Sequence, residues 1–131
     1  MTEKETNAKD FIKLLLVDDE KGFVDVIAKR MSKRNIDVTK AFSGTEALQA
    51  VRKADFDVIV LDLKMEDMDG IEVLKILRKM DPDLAVIMLT GHGSEEAARE
   101  GIELGAADYL TKPCDFELLV EKIKEVNERK A

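Results

Sequence analysis

Five polar side chains in this 131-residue chain stand immediately after short apolar runs. Asp18 and Asp19 follow Phe11-Ile-Lys-Leu-Leu-Leu-Val17, and Asp62 follows Asp57-Val-Ile-Val-Leu61. Thr90 follows Leu84-Ala-Val-Ile-Met-Leu89, and Lys112 follows Ala107-Asp-Tyr-Leu-Thr111. Gathered at one point, three carboxylates repel: at about 4 Å and an effective dielectric near 20, each pair costs on the order of 4 kcal/mol. A hard divalent cation offsets that cost. Mg²⁺ in particular takes one or two carboxylates, keeps several waters and completes its shell with phosphate oxygens. The Lys112 ammonium and the Thr90 hydroxyl would supply the remaining groups needed around a phosphoryl group, whose transfer depends mainly on positioning and charge neutralisation. One carboxylate then has to be the nucleophile, a role open to aspartate. Asp62 is the best placed, with the acidic pair on one flank and Thr90 on the other.

The elements that would bring these groups together can be read from periodicity. Phe11 to Val17 reads as a strand, feeding a helix from Lys21 to about Arg34 with an acidic first turn and Phe23, Val26, Ile27 and Met31 on its inner face. Ile36 to Ala41 is a second strand. Ser43-Gly-Thr-Glu46 has the form of a capping box and opens a helix with Ala47, Leu48 and Val51 inward. The run ending at Asp62 has no polar alternation, which marks a strand buried on both faces. Asp69-Gly70 caps a third helix with Val73, Leu74, Leu77 and Met80 toward the sheet, stopped by Asp81-Pro82. Leu84 to Leu89 is a fourth strand. Ser94 begins a fourth helix with Glu95 and Glu96 in its first turn, Ala97, Ala98 and Ile102 inward, and Gly105 as a left-handed terminator. Ala107 to Leu110 is the last strand, and Asp115 caps a final helix burying Phe116, Leu119, Ile123 and Val126. Strict β/α alternation implies a parallel sheet covered on both faces. The expected fold is α/β: a five-stranded, doubly wound, flavodoxin-like sheet of order 2-1-3-4-5 with five helices. Its ligands would bind at the carboxyl ends of the strands, where the strand order reverses.

Length and composition set further bounds. The chain can bury a core without disulfides, and its single cysteine, Cys114, excludes an internal disulfide framework. Residues 1–10 are polar and read as a flexible leader, leaving 11–131 as a single domain. No apolar run is long enough to span a bilayer and no signal peptide core is present, so the expected compartment is the cytoplasm and no membrane partner is expected. With 21 basic and 28 acidic residues the net charge is −7, which disfavours direct nucleic acid binding by this chain.

Four segments carry a family resemblance: Leu-Leu-Val-Asp18-Asp19-Glu, Val-Leu-Asp62-Leu-Lys-Met-x-x-Met-Asp-Gly, Met-Leu-Thr90-Gly-His-Gly, and Gly-Ala-x-Asp-Tyr109-Leu-Thr-Lys112-Pro113. In this order and spacing the chain resembles a receiver domain of a bacterial two-component response regulator, from Lys13 to Val126. The resemblance implies a phosphoacceptor switch that catalyses only its own phosphorylation and dephosphorylation. Asp62 would accept a phosphoryl group from a phosphohistidine on a sensor histidine kinase or a phosphotransfer protein. Asp19 and Asp62 would ligate Mg²⁺ directly, Asp18 through water, and the Lys64 backbone carbonyl would be a further ligand. Lys112 would bind phosphoryl oxygens, beside a cis peptide to Pro113. Thr90 would swing toward the phosphoryl group and Tyr109 would turn inward, altering the surface of the fourth helix, last strand and last helix for a downstream protein or output domain. Lys64 and His92 would flank the site at positions that influence phosphoryl lifetime. The resemblance also allows a phosphorylation-dependent homodimer. Two residues after Lys64, where the family usually has proline, this chain has Glu66, so the loop after Asp62 is expected to be less rigid and more acidic with the ligands unaffected.

Simpler roles exist for each residue taken singly. Asp18-Asp19 could cap a helix, Asp62 could terminate a strand, and Tyr109 could be a half-buried sheet aromatic. His92, the lone histidine, cannot build a nitrogen-rich metal site, and Cys114 reads as structural or neutral. Two other functions compete. A Mg²⁺-dependent phosphohydrolase with an aspartyl nucleophile would want an acid two residues after Asp62, where Lys64 stands, and spare length for a substrate pocket. A flavin-binding carrier would want a phosphate-cradling first loop and aromatic stacking partners, yet this chain has no Trp and one Tyr.

Overall fold

The computed structural model describes residues 11–91 and 95–130, the side chain of residue 130 excepted. Its strands are β1 (Ile12–Val17), β2 (Ile36–Ala41), β3 (Val58–Asp62), β4 (Ala85–Thr90) and β5 (Asp108–Thr111). The helices between and after them are α1 (Lys21–Met31), α2 (Gly44–Lys53), α3 (Gly70–Met80), α4 (Glu95–Glu103) and α5 (Phe116–Lys130). A 3-10 turn, Ser32–Arg34, extends α1 before Asn35 reverses the chain with φ 63°. The sheet is parallel throughout, in the order β2-β1-β3-β4-β5, as the β/α alternation predicts.

Burial follows strand position. Every residue of β3 and β4 is buried, which is why these segments show no polar alternation, whereas edge strand β2 buries only Ile36 and Ala41 and β5 is mostly open. Successive side chains point to opposite faces. One face of the sheet therefore packs Leu14, Leu16, Val60 and Ile87 against α1 and α5, through Val24, Met31, Leu119 and Ile123. The other packs Leu15, Ile59, Leu61 and Met88 against α2 and α3, through Ala47, Leu74 and Leu77, with Ala97 of α4 alongside. Each large aliphatic side chain so enclosed contributes about 1.5–3 kcal/mol. Gly101 of α4 lies so close to Met88 that an added Cβ would meet its Sδ at 2.0 Å, which lets α4 approach the sheet.

Helix ends follow the sequence signals closely. Ser43 Oγ accepts from Glu46 N at 3.1 Å, while the Glu46 carboxylate reaches back to Phe42 N at 3.0 Å, one residue before the cap itself. Asp69 accepts from Ile71 N at 3.0 Å and Asp115 from Leu118 N at 3.2 Å. Gly105 ends the turn after α4 with φ 102°, a conformation glycine adopts without steric cost.

Some inner-face assignments are corrected. Val26 is exposed and Val24, Ile27, Ala28 and Met31 form the buried stripe of α1. Met80 and Ile102 are also exposed; Met80 lies in the final turn of α3, and the small residues Ala98 and Gly101 face the sheet from α4. The first turn of α1 carries no acid, because Asp18, Asp19 and Glu20 precede the helix and are engaged at the strand ends instead. The proposed leader 1–10, His92 and the helix start at Ser94 lie outside the described residues.

Candidate functional site

Strand register carries the predicted residues to one rim. Val17 is paired with Leu61, so Asp18 and Asp62 leave adjacent strands at the same level. Asp62 is in register with Leu89, one residue before Thr90, and Thr90 with Thr111, one residue before Lys112. The ladder continues past β5, where Lys112 N donates to Thr90 O at 2.7 Å. Asp18, Asp62 and Thr90 are the buried polar residues of the described chain. Asp18, Asp19 and Asp62 each offer a carboxylate oxygen such that these atoms lie within 4.8 Å of one another.

Each of the three carboxylates is held by one backbone N–H through one oxygen. Glu20 N donates to Asp18 Oδ1 at 3.0 Å and Lys64 N to Asp62 Oδ1 at 3.2 Å, both from two residues downstream. Glu66 N donates to Asp19 Oδ2 at 3.2 Å, across from the loop that follows β3. That loop closes on itself through a bridge between Lys64 and Asp69 and a Gly70 N to Leu63 O bond of 3.1 Å. An added Cβ on Gly70 would lie 2.5 Å from Leu63 Cα, so only glycine permits this closure.

The Lys112 Nζ stands 2.5 Å from Asp18 Oδ2, 3.0 Å from Glu20 Oε1 and 4.0 Å from Asp62 Oδ2. It also lies 4.6 Å from the centre of the Phe23 ring, whose face attracts a cation. Burial alone would lower the Lys112 pKa; the bonds to Asp18 and Glu20 and the field of Asp62 outweigh it and hold the ammonium above the usual lysine value. The Lys112-Pro113 peptide is cis. The Thr90 hydroxyl donates to Leu110 O at 3.3 Å, on the strand that carries Tyr109, whose ring is half exposed.

Burial, followed by the charge of Asp18, pushes the Asp62 carboxyl up to about 6, against the pull of Lys112 and of the Lys64 N–H, with Asp19 adding to the rise. One ammonium does not balance this acid cluster. A donor set of converging carboxylate oxygens, short of positive charge, fits a hard divalent cation.

Several participants escaped the sequence reading. Glu20 enters the sequence analysis only as the last residue of a resemblance segment, and Phe23 only as core; nothing in their spacing signals a lysine 92 and 89 residues away. Glu66 was weighed as a missing proline, yet what matters here is the N–H that a proline would lack. Cys114 is half-buried, and burial pushes its thiol up, which suits an unreactive residue.

A parallel doubly wound sheet with an acid cluster, a hydroxyl and an ammonium on its carboxyl rim defines a class, and the comparisons identify it. The family described as response regulator receiver domain matches residues 14–124. The chain belongs to this family of two-component response regulator domains, whose general function is phosphoryl acceptance. It is 35% identical over 118 residues to the transcriptional regulatory protein GlrR of Escherichia coli strain K12, covering 90% of this chain and 27% of that protein. It thus spans about a quarter of the length of the curated relatives it matches. The receiver domain of the Francisella response regulator 1452 superposes with a TM-score of 0.85 at 38% identity, covering 92% of this chain and 99% of that one. A receiver domain protein from Clostridium thermocellum gives 0.88 at 33% identity, covering 92% and 97%.

Proposed function

We propose that this chain is a Mg²⁺-dependent phosphoacceptor switch in which Asp62 takes a phosphoryl group from a phosphohistidine. The observation that carries the proposal is the placement of Asp62: its carboxylate belongs to the 4.8 Å acid cluster and lies 4.0 Å from the Lys112 ammonium. In the proposed step an Asp62 oxygen forms a bond to phosphorus as the bond to the histidine nitrogen breaks, and the electron pair leaves with the imidazole. Asp19 and Asp62, with Asp18 through water and the Lys64 carbonyl, are assigned to the cation. When bound, Mg²⁺ would neutralise charge on the phosphoryl oxygens. Lys112, held ready by Asp18 and Glu20, shifts its charge to the arriving phosphoryl oxygens.

Thr90 links the chemistry to the surface. In turning its hydroxyl to the phosphoryl group it gives up Leu110 O, the carbonyl next to Tyr109. Tyr109 then moves inward, and the face made by α4, β5 and α5 changes. That face already shows exposed Ile102, Tyr109 and Leu118, which supports its assignment as the partner surface. The switch would read a sensor histidine kinase or phosphotransfer protein and act on a downstream protein or output domain, with a phosphorylation-dependent homodimer as one form of output. Its action is assigned to the cytoplasm, without direct contact to nucleic acid; among the described residues no helix is long and apolar enough to cross a membrane.

The test is intact-protein mass spectrometry with acetyl phosphate as donor. The wild type gains one phosphoryl group with Mg²⁺ and none with EDTA, and Asp62→Asn gains none in either. A wild type that stays unmodified while Mg²⁺ demonstrably binds would refute the proposal.

A further inference from the structure

The Asp67 carboxylate is the anchor of the loop that follows β3. Its Oδ1 accepts from Gly44 N at 2.9 Å, and its Oδ2 accepts from Thr45 N and Thr45 Oγ1, each at 3.1 Å. These bonds fasten the tip of the Lys64–Asp69 hairpin to the amino terminus of α2, where unsatisfied N–H groups and the helix dipole favour a carboxylate. The Gly44 N–H first, and the Thr45 groups with it, hold the Asp67 carboxyl below its usual pKa, so the anchor stays ionised. Packing reinforces the attachment: Gly44 approaches Met68 so closely that an added Cβ would meet its Cβ and Sδ at 3.0 Å.

The neighbouring residue makes this anchor matter to the acid cluster. Asp18 and Asp62 are each steadied by an N–H two residues ahead, which travels with the same strand end. Among the described residues Asp19 has no such local donor: the N–H on its Oδ2 comes from Glu66, 47 residues away, in the hairpin. The direction of Asp19 therefore depends on where the hairpin tip sits, and the tip is fixed by Asp67.

We infer that Asp67 is a positioning residue for the cation site: it orients Asp19 through the Glu66 N–H by tying the hairpin to α2. The inference rests on the proposed Mg²⁺ site. Partners one step removed from a ligand change metal affinity by about 10–100-fold when lost, and an exposed anchor belongs at the lower end of that range.

The experiment is Mg²⁺ titration calorimetry on Asp67→Ala, Glu66→Pro and the double variant, with Asp19→Ala as the control for the site itself. Asp67→Ala is expected to weaken Mg²⁺ binding by roughly 3–10-fold, and the double variant to bind no more weakly than Glu66→Pro alone, because both changes remove the same restraint. Backbone ¹⁵N order parameters in metal-free Asp67→Ala should fall across residues 64–68, a readout independent of the cation. Acetyl phosphate phosphorylation at saturating Mg²⁺ should return to within about twofold of wild type, separating positioning from chemistry. An affinity within about twofold of wild type, or losses that add across the pair, overturns the inference. If Asp19→Ala also leaves Mg²⁺ affinity unchanged, it is the cation site that fails; if Asp19→Ala abolishes binding while Asp67→Ala does not, only the role of Asp67 fails.

Discussion

Lys112 lies closer to Asp18 than to Asp62: its Nζ is 2.5 Å from Asp18 Oδ2 and 4.0 Å from Asp62 Oδ2. The ammonium thus has a fully buried structural partner and, a short reach away, the carboxylate proposed to receive the phosphoryl group. In the proposed function one side chain would serve both stability and chemistry, and the two can be separated by substitution.

Removing the ammonium leaves Asp18 buried without its ion-pair partner. In Mg²⁺-free buffer Lys112→Met is expected to lower the unfolding free energy by about 2–4 kcal/mol, because an uncompensated buried charge is costly. Adding Asp18→Asn should recover more than half of the loss. Urea denaturation of the two variants checks this; a double variant less stable than Lys112→Met would contradict it.

Asp62 links stability to pH. Its carboxyl is raised to about 6, so between about pH 4 and pH 6 the folded chain binds a proton that the unfolded chain releases. Stability without Mg²⁺ should fall as pH rises through that window and then level off. Asp62→Asn lacks the titrating group, so its advantage over wild type should grow from near zero at pH 4 to about 2–3 kcal/mol above pH 7. Urea titrations in EDTA across this range measure the gap. A gap independent of pH would show that burial of the Asp62 charge is not what strains the site. Added Mg²⁺ should stabilise wild type and leave Asp62→Asn nearly unchanged.

The chain has one tyrosine and no tryptophan, so Tyr109 is its own reporter. Phosphorylation of the wild type should change tyrosine fluorescence as the ring leaves solvent. Thr90→Ala should still take up the phosphoryl group, as mass spectrometry would show, while losing most of the fluorescence change. Equal changes in both proteins would break the assigned link through Leu110 O.

The fold was legible because its signals are local and repeated. The polar-free runs of β3 and β4 marked central strands, and Ser43, Asp69, Asp115 and Gly105 marked helix ends where the structure has them. Inner faces were less secure where a helix meets the sheet through small residues: Ile102 looked like core, but Ala98 and Gly101 make the close approach. Residues 18, 19, 62, 90 and 112 could be grouped because each ends a strand, and strand register then sets their height. How Glu20, Phe23, Glu66 and Asp67 touch the site was not legible. Their contributions come through a folded-back side chain, a ring face, a backbone N–H and a loop anchor, none of which leaves a pattern in residue type or spacing.

The most direct measurement of the central claim is chemical trapping of the phosphorylated carboxylate. The protein is phosphorylated with acetyl phosphate and Mg²⁺, reduced with borohydride, and digested for peptide mass spectrometry, which reads an acyl phosphate as homoserine. Conversion of Asp62 alone is the predicted result. Conversion of Asp18 or Asp19 with Asp62 unmodified would contradict the account.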